Sequence, residues 1–235
     1  MPKKKVRNHQ LERILVGYEI PGMTDETYEN ARIHKDVGIW KQVHQFVVKP
    51  IAKKWSSKIL HKHLIKAVGF LRNKTVIDVS VGDDLIILQI ANKAKHVYAN
   101  DISIHAMVPV IQESNHDNIT FSHKNFFDLR VPQGDVVICK NTLHHMNTIN
   151  QIEEALLKLQ QLGKKIIIMD VEDPKLTPLA RAWNAYYVFM LKDQGGFFIS
   201  YNQFKKTLKT IYKKRKIKTN RIKTIKGYYM LAVIE

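Results

Sequence analysis

A chain of 235 residues with an apolar fraction of 45% suits one α/β domain of ordinary size with a packed core, preceded by an N-terminal extension. Its single cysteine, Cys139, excludes an internal disulfide and a cysteine-rich zinc site; with no apolar signal region and no run of about 18 apolar residues, a reducing, cytoplasmic setting without a membrane span is expected. The formal net charge of +17 raises the question of an anionic partner.

Residues 1–70 read as a helical extension or lid. They open on the basic tail Pro2-Lys3-Lys4-Lys5-Val6-Arg7, whose alternative reading is a nuclear address. Thr24 can cap a helix bearing Tyr28, a second helix passes from Trp40 to Val47, and Pro50 restarts the chain. Over 51–71, Ala52, Trp55, Ile59, Leu60, Leu64, Val68 and Leu71 recur at helical spacing with lysines opposite. Such a helix docks its apolar stripe on the domain; peripheral contact with an anionic membrane is the lesser reading.

Strands and helices then alternate through 71–235. Strand 75–80 leads to helix 84–94, and strand 96–101 to a helix over 103–114 that Pro109 is expected to bend or shorten. Strand 119–123 precedes Asn125-Phe126-Phe127-Asp128. Strand 135–140 precedes the loop Asn141-Thr142-Leu143-His144-His145 and helix 148–162, which Gly163 ends. Strand 165–170 is nearly all apolar, as expected with both sheet faces covered. Helical patterns at 177–192 and 201–212 precede two strands, about 215–224 and 228–234, expected to pair as an antiparallel hairpin around Gly227. The alternation predicts a doubly wound, Rossmann-like sheet of mostly parallel strands.

The stretch Asp78-Val79-Ser80-Val81-Gly82-Asp83-Asp84 is a strand end breaking into a small-residue turn and a helix, and a second strand ends on Asp101 about twenty residues later. That order builds a nucleoside pocket: the turn lets backbone approach the ligand, and the acid accepts from ribose hydroxyls. The glycines lack the spacing of a dinucleotide-binding dehydrogenase. A phosphate-binding loop is excluded too, since no Gly-Lys-Ser/Thr follows and Asp83 and Asp84 would repel phosphate at the helix start. Acids there suit a positively charged sulfonium better.

On these residues the chain resembles the class I S-adenosylmethionine-dependent methyltransferases over most of 75–235. The family's first motif is an acid followed by Gly-x-Gly-x-Gly; here only Gly82 of the three glycines survives, with Ser80 and Asp84 in the other places. The resemblance implies a seven-stranded sheet with a C-terminal antiparallel hairpin and S-adenosylmethionine as cofactor. It implies that Asp78, Ser80 and Gly82 form the cofactor turn, Asp101 holds the ribose and Ile102 meets the adenine. Asn125 and Phe126 fall on the adenine side, and Asn141 closes the fourth strand. The loop Thr142-Leu143-His144-His145-Met146 is similar to the Leu-His-His loop of small-molecule members.

Each residue also has a plainer reading. Asp78 or Asp101 can cap a local turn, Asn125 is a common turn residue, and Cys139 reads as buried packing. His144 and His145 follow a strand's carboxyl end, where either can serve as general base or simply hydrogen-bond backbone. The aromatic insert 174–200, with Trp183 and Tyr187, is expected to face the acceptor together with Tyr28. No metal site is expected.

The expected reaction is methyl transfer to an oxygen, nitrogen or carbon of a small-molecule acceptor. The rival is an RNA methyltransferase gripping phosphates with the basic tracts 41–74 and 205–226, since no acid occurs between Asp36 and Asp78 or between Asp193 and Glu235. Solvated lysines explain the same tracts. A third reading is a degenerate, non-catalytic module, suggested by Ser80 and Asp84.

Overall fold

The computed structural model describes Val47, residues 56–186, Val188 and residues 196–235. The sequence-predicted helices before residue 56, Tyr28 and Tyr187 therefore lie outside the described residues. The first described helix, α1 (Lys58–Val68), buries Leu60, Leu64 and Val68 at i, i+4, i+8, one face of a helix docked on the sheet.

Seven strands follow: β1 (Thr75–Asp78), β2 (His96–Asp101), β3 (Ile119–His123), β4 (Gly134–Lys140), β5 (Gly163–Val171), β6 (Ile217–Thr224) and β7 (Gly227–Ile234). They form one sheet in the order β3-β2-β1-β4-β5-β7-β6. The first five pair in parallel, and β7 runs antiparallel to both β5 and β6. The order reverses between β1 and β4, so a crevice opens outside their carboxyl ends. The expected mostly parallel sheet with a C-terminal hairpin is what forms.

The helices are α2 (Ile86–Ala91), α3 (Ile104–Glu113), α4 (Ile149–Leu162), α5 (Pro178–Ala185) and α6 (Tyr201–Ile211). The core lies in two layers. On one side α1, α2 and α3 cover β1 to β3 through Leu64, Ile87, Ile90, Met107 and Ile111; on the other α4 and α6 cover β4 and β5 through Ile152, Leu156, Phe204 and Leu208. Among the described residues, no helix is long and apolar enough to cross a membrane.

Three local expectations change. Pro109 lies inside α3 without ending it. The proline faces solvent while Met107, Val110 and Ile111 are fully buried on the opposite stripe, so packing holds the helix past the missing hydrogen bond. Strand β1 stops at Asp78, because Asp78 and Ser80 already make the turn, and α2 covers only 86–91.

Gly163 does not cap α4 in a left-handed conformation; it begins β5 directly at φ −171°. A Cβ there would lie 2.4 Å from Val137 Cγ2 and 2.8 Å from the Gly134 carbonyl oxygen, so close strand approach is what requires glycine.

β3 and β6 are the sheet edges. Lys218, Asn220, Arg221 and Lys223 of β6 face solvent, as do Lys206 and Lys209 of α6.

Candidate active site

Asp78 ends β1 in full burial, and its Oδ1 accepts the Ser80 N–H at 3.1 Å, which folds the chain back at the strand end. The turn continues through Gly82 at φ +56°, left-handed backbone that glycine adopts freely. No described atom lies within 4 Å of where a Gly82 Cβ would sit, so the turn faces open space. The Gly82 N–H donates to Asp101 Oδ2 at 2.7 Å across to β2, and Asp101 Oδ1 accepts the Ser103 N–H at 2.9 Å. The two residues expected to share a nucleoside thus touch each other directly.

Burial pushes Asp78 up to about 7, against the pull of the Lys140 charge and the Ser80 N–H. Burial likewise raises Asp101, with the Ser103 and Gly82 donors opposing it. Two carboxyls are therefore held in a setting that favours any cation placed between them.

Asp84, which stands at a family glycine position, is occupied. It forms an ion pair with Lys140 at the end of β4 and accepts from His61 Nε2 of α1 at 3.0 Å, while its Oδ1 accepts the Ile86 N–H. Burial opposes ionisation of Asp84, but the His61 hydrogen bond and the Lys140 charge hold its carboxyl well below the usual range. Lys140 itself is buried, and its carbonyl accepts from Ser80 Oγ at 3.1 Å. Thr142 Oγ1 donates to the same Ser80 oxygen at 2.5 Å, joining the β4 loop to the turn.

After β4, Asn141 is exposed and left-handed at φ +54°, a conformation asparagine tolerates. The loop beyond it is organised by Asp170, fully buried at the end of β5. Asp170 Oδ2 accepts the N–H groups of Thr142 at 3.1 Å and Leu143 at 2.6 Å. Its Oδ1 lies 2.6 Å from His144 Nδ1 and accepts the Val171 N–H at 2.7 Å. Burial resists ionisation here too, yet the His144 charge and these donors keep the Asp170 carboxyl below its ordinary value. The His144 ring lies 4.1 Å from the His145 ring and stacks on Phe198 at 5.6 Å. The His144 carbonyl accepts the Gly196 and Phe197 N–H groups at 2.7 and 3.1 Å, binding the far end of the insert to this loop.

Other expected residues take plainer places. Asn125 Oδ1 accepts the Phe127 N–H at 3.1 Å, an ordinary turn contact. Phe126 is buried in the core and stacks on Phe127. Ile102 is half-buried, and its carbonyl accepts from His123 Nε2. Trp183 on α5 meets Tyr186 edge-on at 5.9 Å, with the Lys226 amine 5.4 Å above its ring. Cys139 is buried, and burial pushes its thiol far up, which removes it as a nucleophile.

The sequence reading missed Lys140, His61, Asn100 and Asp170. Asn100 donates through Nδ2 to the Val79 and Lys124 carbonyls at 3.2 and 2.9 Å, pinning three strand ends together. Asp170 carried the same signal as Asp78 and Asp101, an acid ending an apolar strand.

Sheet order, hairpin and glycine turn define the Rossmann-like methyltransferase fold. The chain belongs to the class I methyltransferase family: the family model described as a methyltransferase domain matches residues 77–172. Among solved structures, it is similar to magnesium protoporphyrin IX methyltransferase from Synechocystis PCC 6803 with bound S-adenosylmethionine. The identity is 16%, 92% of this chain and 99% of that one are covered, and the TM-score is 0.63. It is also similar to DhpI in complex with S-adenosylhomocysteine (14% identity, 85% and 94% covered, TM-score 0.59) and to the N-methyltransferase NodS from Bradyrhizobium japonicum WM9 (10%, 76% and 94%, 0.58). No curated protein matches it by sequence.

Proposed function

We propose that this chain is an S-adenosylmethionine-dependent methyltransferase acting on a small-molecule acceptor with a hydroxyl or amine nucleophile. The observation that carries the reading is the bond between Gly82 and Asp101 beneath an open face of the turn. Each Asp101 oxygen accepts one backbone N–H and keeps a lone pair for a vicinal ribose hydroxyl. Asp78 tolerates a cation, and Ser80 is small enough for close approach.

In this reading Ile102, Asn125 and Phe126 stand on the adenine side and Asn141 on the amino-acid side. Trp183 belongs to the acceptor wall, with Tyr187 and Tyr28 assigned there from the sequence. Bound in the crevice, S-adenosylmethionine supplies an electrophilic methyl group on its sulfonium. The chain's own work is to orient and to move a proton. Asp170 holds the Nδ1–H tautomer of His144, which makes Nε2 the basic atom that takes the acceptor's proton. His145 packs against that ring and restricts it.

Calorimetry with S-adenosylmethionine and S-adenosylhomocysteine tests the cofactor, and methyl transfer to candidate hydroxyl and amine acceptors, read by mass spectrometry, tests the reaction. Absence of heat with both nucleosides overturns the reading and leaves the non-catalytic module.

A further inference from the structure

Lys140 is a buried ammonium in a crevice the sheet order marks as the ligand site, and lysine is almost never buried without a task or a partner. Its side chain reaches back over the glycine turn to Asp84, and its charge is also felt by Asp78. Three carboxyls, Asp78, Asp84 and Asp101, converge here with Lys140 and His61. The ribose assignment to Asp101 on β2 sends the other end of the nucleoside toward β4, where Lys140 stands. An α-amino acid tail is a zwitterion, so a site for it needs an acid and a cation side by side, and Asp78 and Lys140 are that pair.

Resting on the cofactor reading above, we infer that Lys140 recognises the α-carboxylate of the cofactor's amino-acid tail, held in place beforehand by Asp84. An ammonium has three donors, so Lys140 keeps Asp84 while giving a second N–H to the ligand. His61 is a second partner for Asp84, which is therefore not stranded if Lys140 shifts. This explains an acid where the family has a glycine: Asp84 keeps a desolvated cation paired while no ligand neutralises it.

The test is calorimetry on the full chain with S-adenosylhomocysteine and with its decarboxylated analogue, which keeps the nucleoside, thioether and amine. Wild-type protein is expected to prefer S-adenosylhomocysteine by about 10- to 100-fold, the worth of one charge-assisted hydrogen bond. Lys140→Met abolishes that preference by weakening S-adenosylhomocysteine alone, and Lys140→Arg retains most of it. If Lys140→Met does not fold, the double variant Asp84→Asn/Lys140→Met, which removes both buried charges, gives the same readout. A preference that survives loss of the lysine, or none in the wild type, overturns the inference while the cofactor reading stands. Wild-type protein that binds neither compound overturns the cofactor reading itself.

Discussion

Asp170 Oδ1 and His144 Nδ1 lie 2.6 Å apart, bringing the end of β5 onto the loop after β4. A carboxylate so placed fixes both the tautomer and the direction of the imidazole. His144→Gln should lower kcat by about 10²-fold or more, the usual share of a general base, and leave S-adenosylhomocysteine affinity near wild type. Single-turnover kinetics beside calorimetry separates the two effects. Equal losses in rate and affinity would make His144 a structural residue.

Asp101→Ala should weaken S-adenosylhomocysteine binding by about 1–3 kcal/mol, because ribose hydroxyls and the Gly82 N–H lose their acceptor. Asp101→Asn should lose less, since an amide oxygen still accepts. Isothermal titration checks both, and unchanged affinity in the alanine variant would move the ribose elsewhere.

Asp78 makes stability depend on pH in an uncommon direction. Its pKa is about 7 folded against 3.8 unfolded, so across that interval the native state holds the extra proton. Stability should fall as pH rises from about 4 to about 7 and then level. Asp84 and Asp170, both lowered, act oppositely, losing their contribution only in stronger acid. Denaturant melts of the wild type and Asp78→Asn at several pH values isolate the Asp78 share. The variant should be relatively more stable above pH 7 yet bind S-adenosylmethionine more weakly.

Gly163→Ala forces a methyl group against Val137 and the Gly134 carbonyl, and both neighbours are held in the sheet. A loss of about 1–3 kcal/mol is expected from overpacking, measured as a lower denaturation midpoint. Gly82→Ala meets no such clash and should cost mainly backbone strain at φ +56°.

The sheet was legible because its cues are local: apolar strands closing on an acid, small-residue turns, and a hairpin around Gly227. Strands β2 and β3 match their expected limits residue for residue. Pro109 shows where a local rule gives way, since a proline on the wet side of a well-packed helix is tolerated. The charge cluster was not legible. Lys140, Asp84 and His61 belong to β4, the glycine turn and α1, and only the pairing of β1 with β4 brings them together. Read in sequence, Asp84 was a missing glycine and Lys140 one more lysine among many. Asn125 shows the converse, a residue assigned to the ligand whose oxygen is already engaged by its own turn.

The strand that closes the sheet beyond β7 carries Lys218, Arg221 and Lys223 on its open side. Any second molecule that tried to lengthen the sheet there would lay its own cations alongside these, in register or nearly so. Mutual repulsion at an unguarded backbone edge discourages amyloid-like stacking, so part of the large positive charge acts as protection against self-association and requires no polyanion.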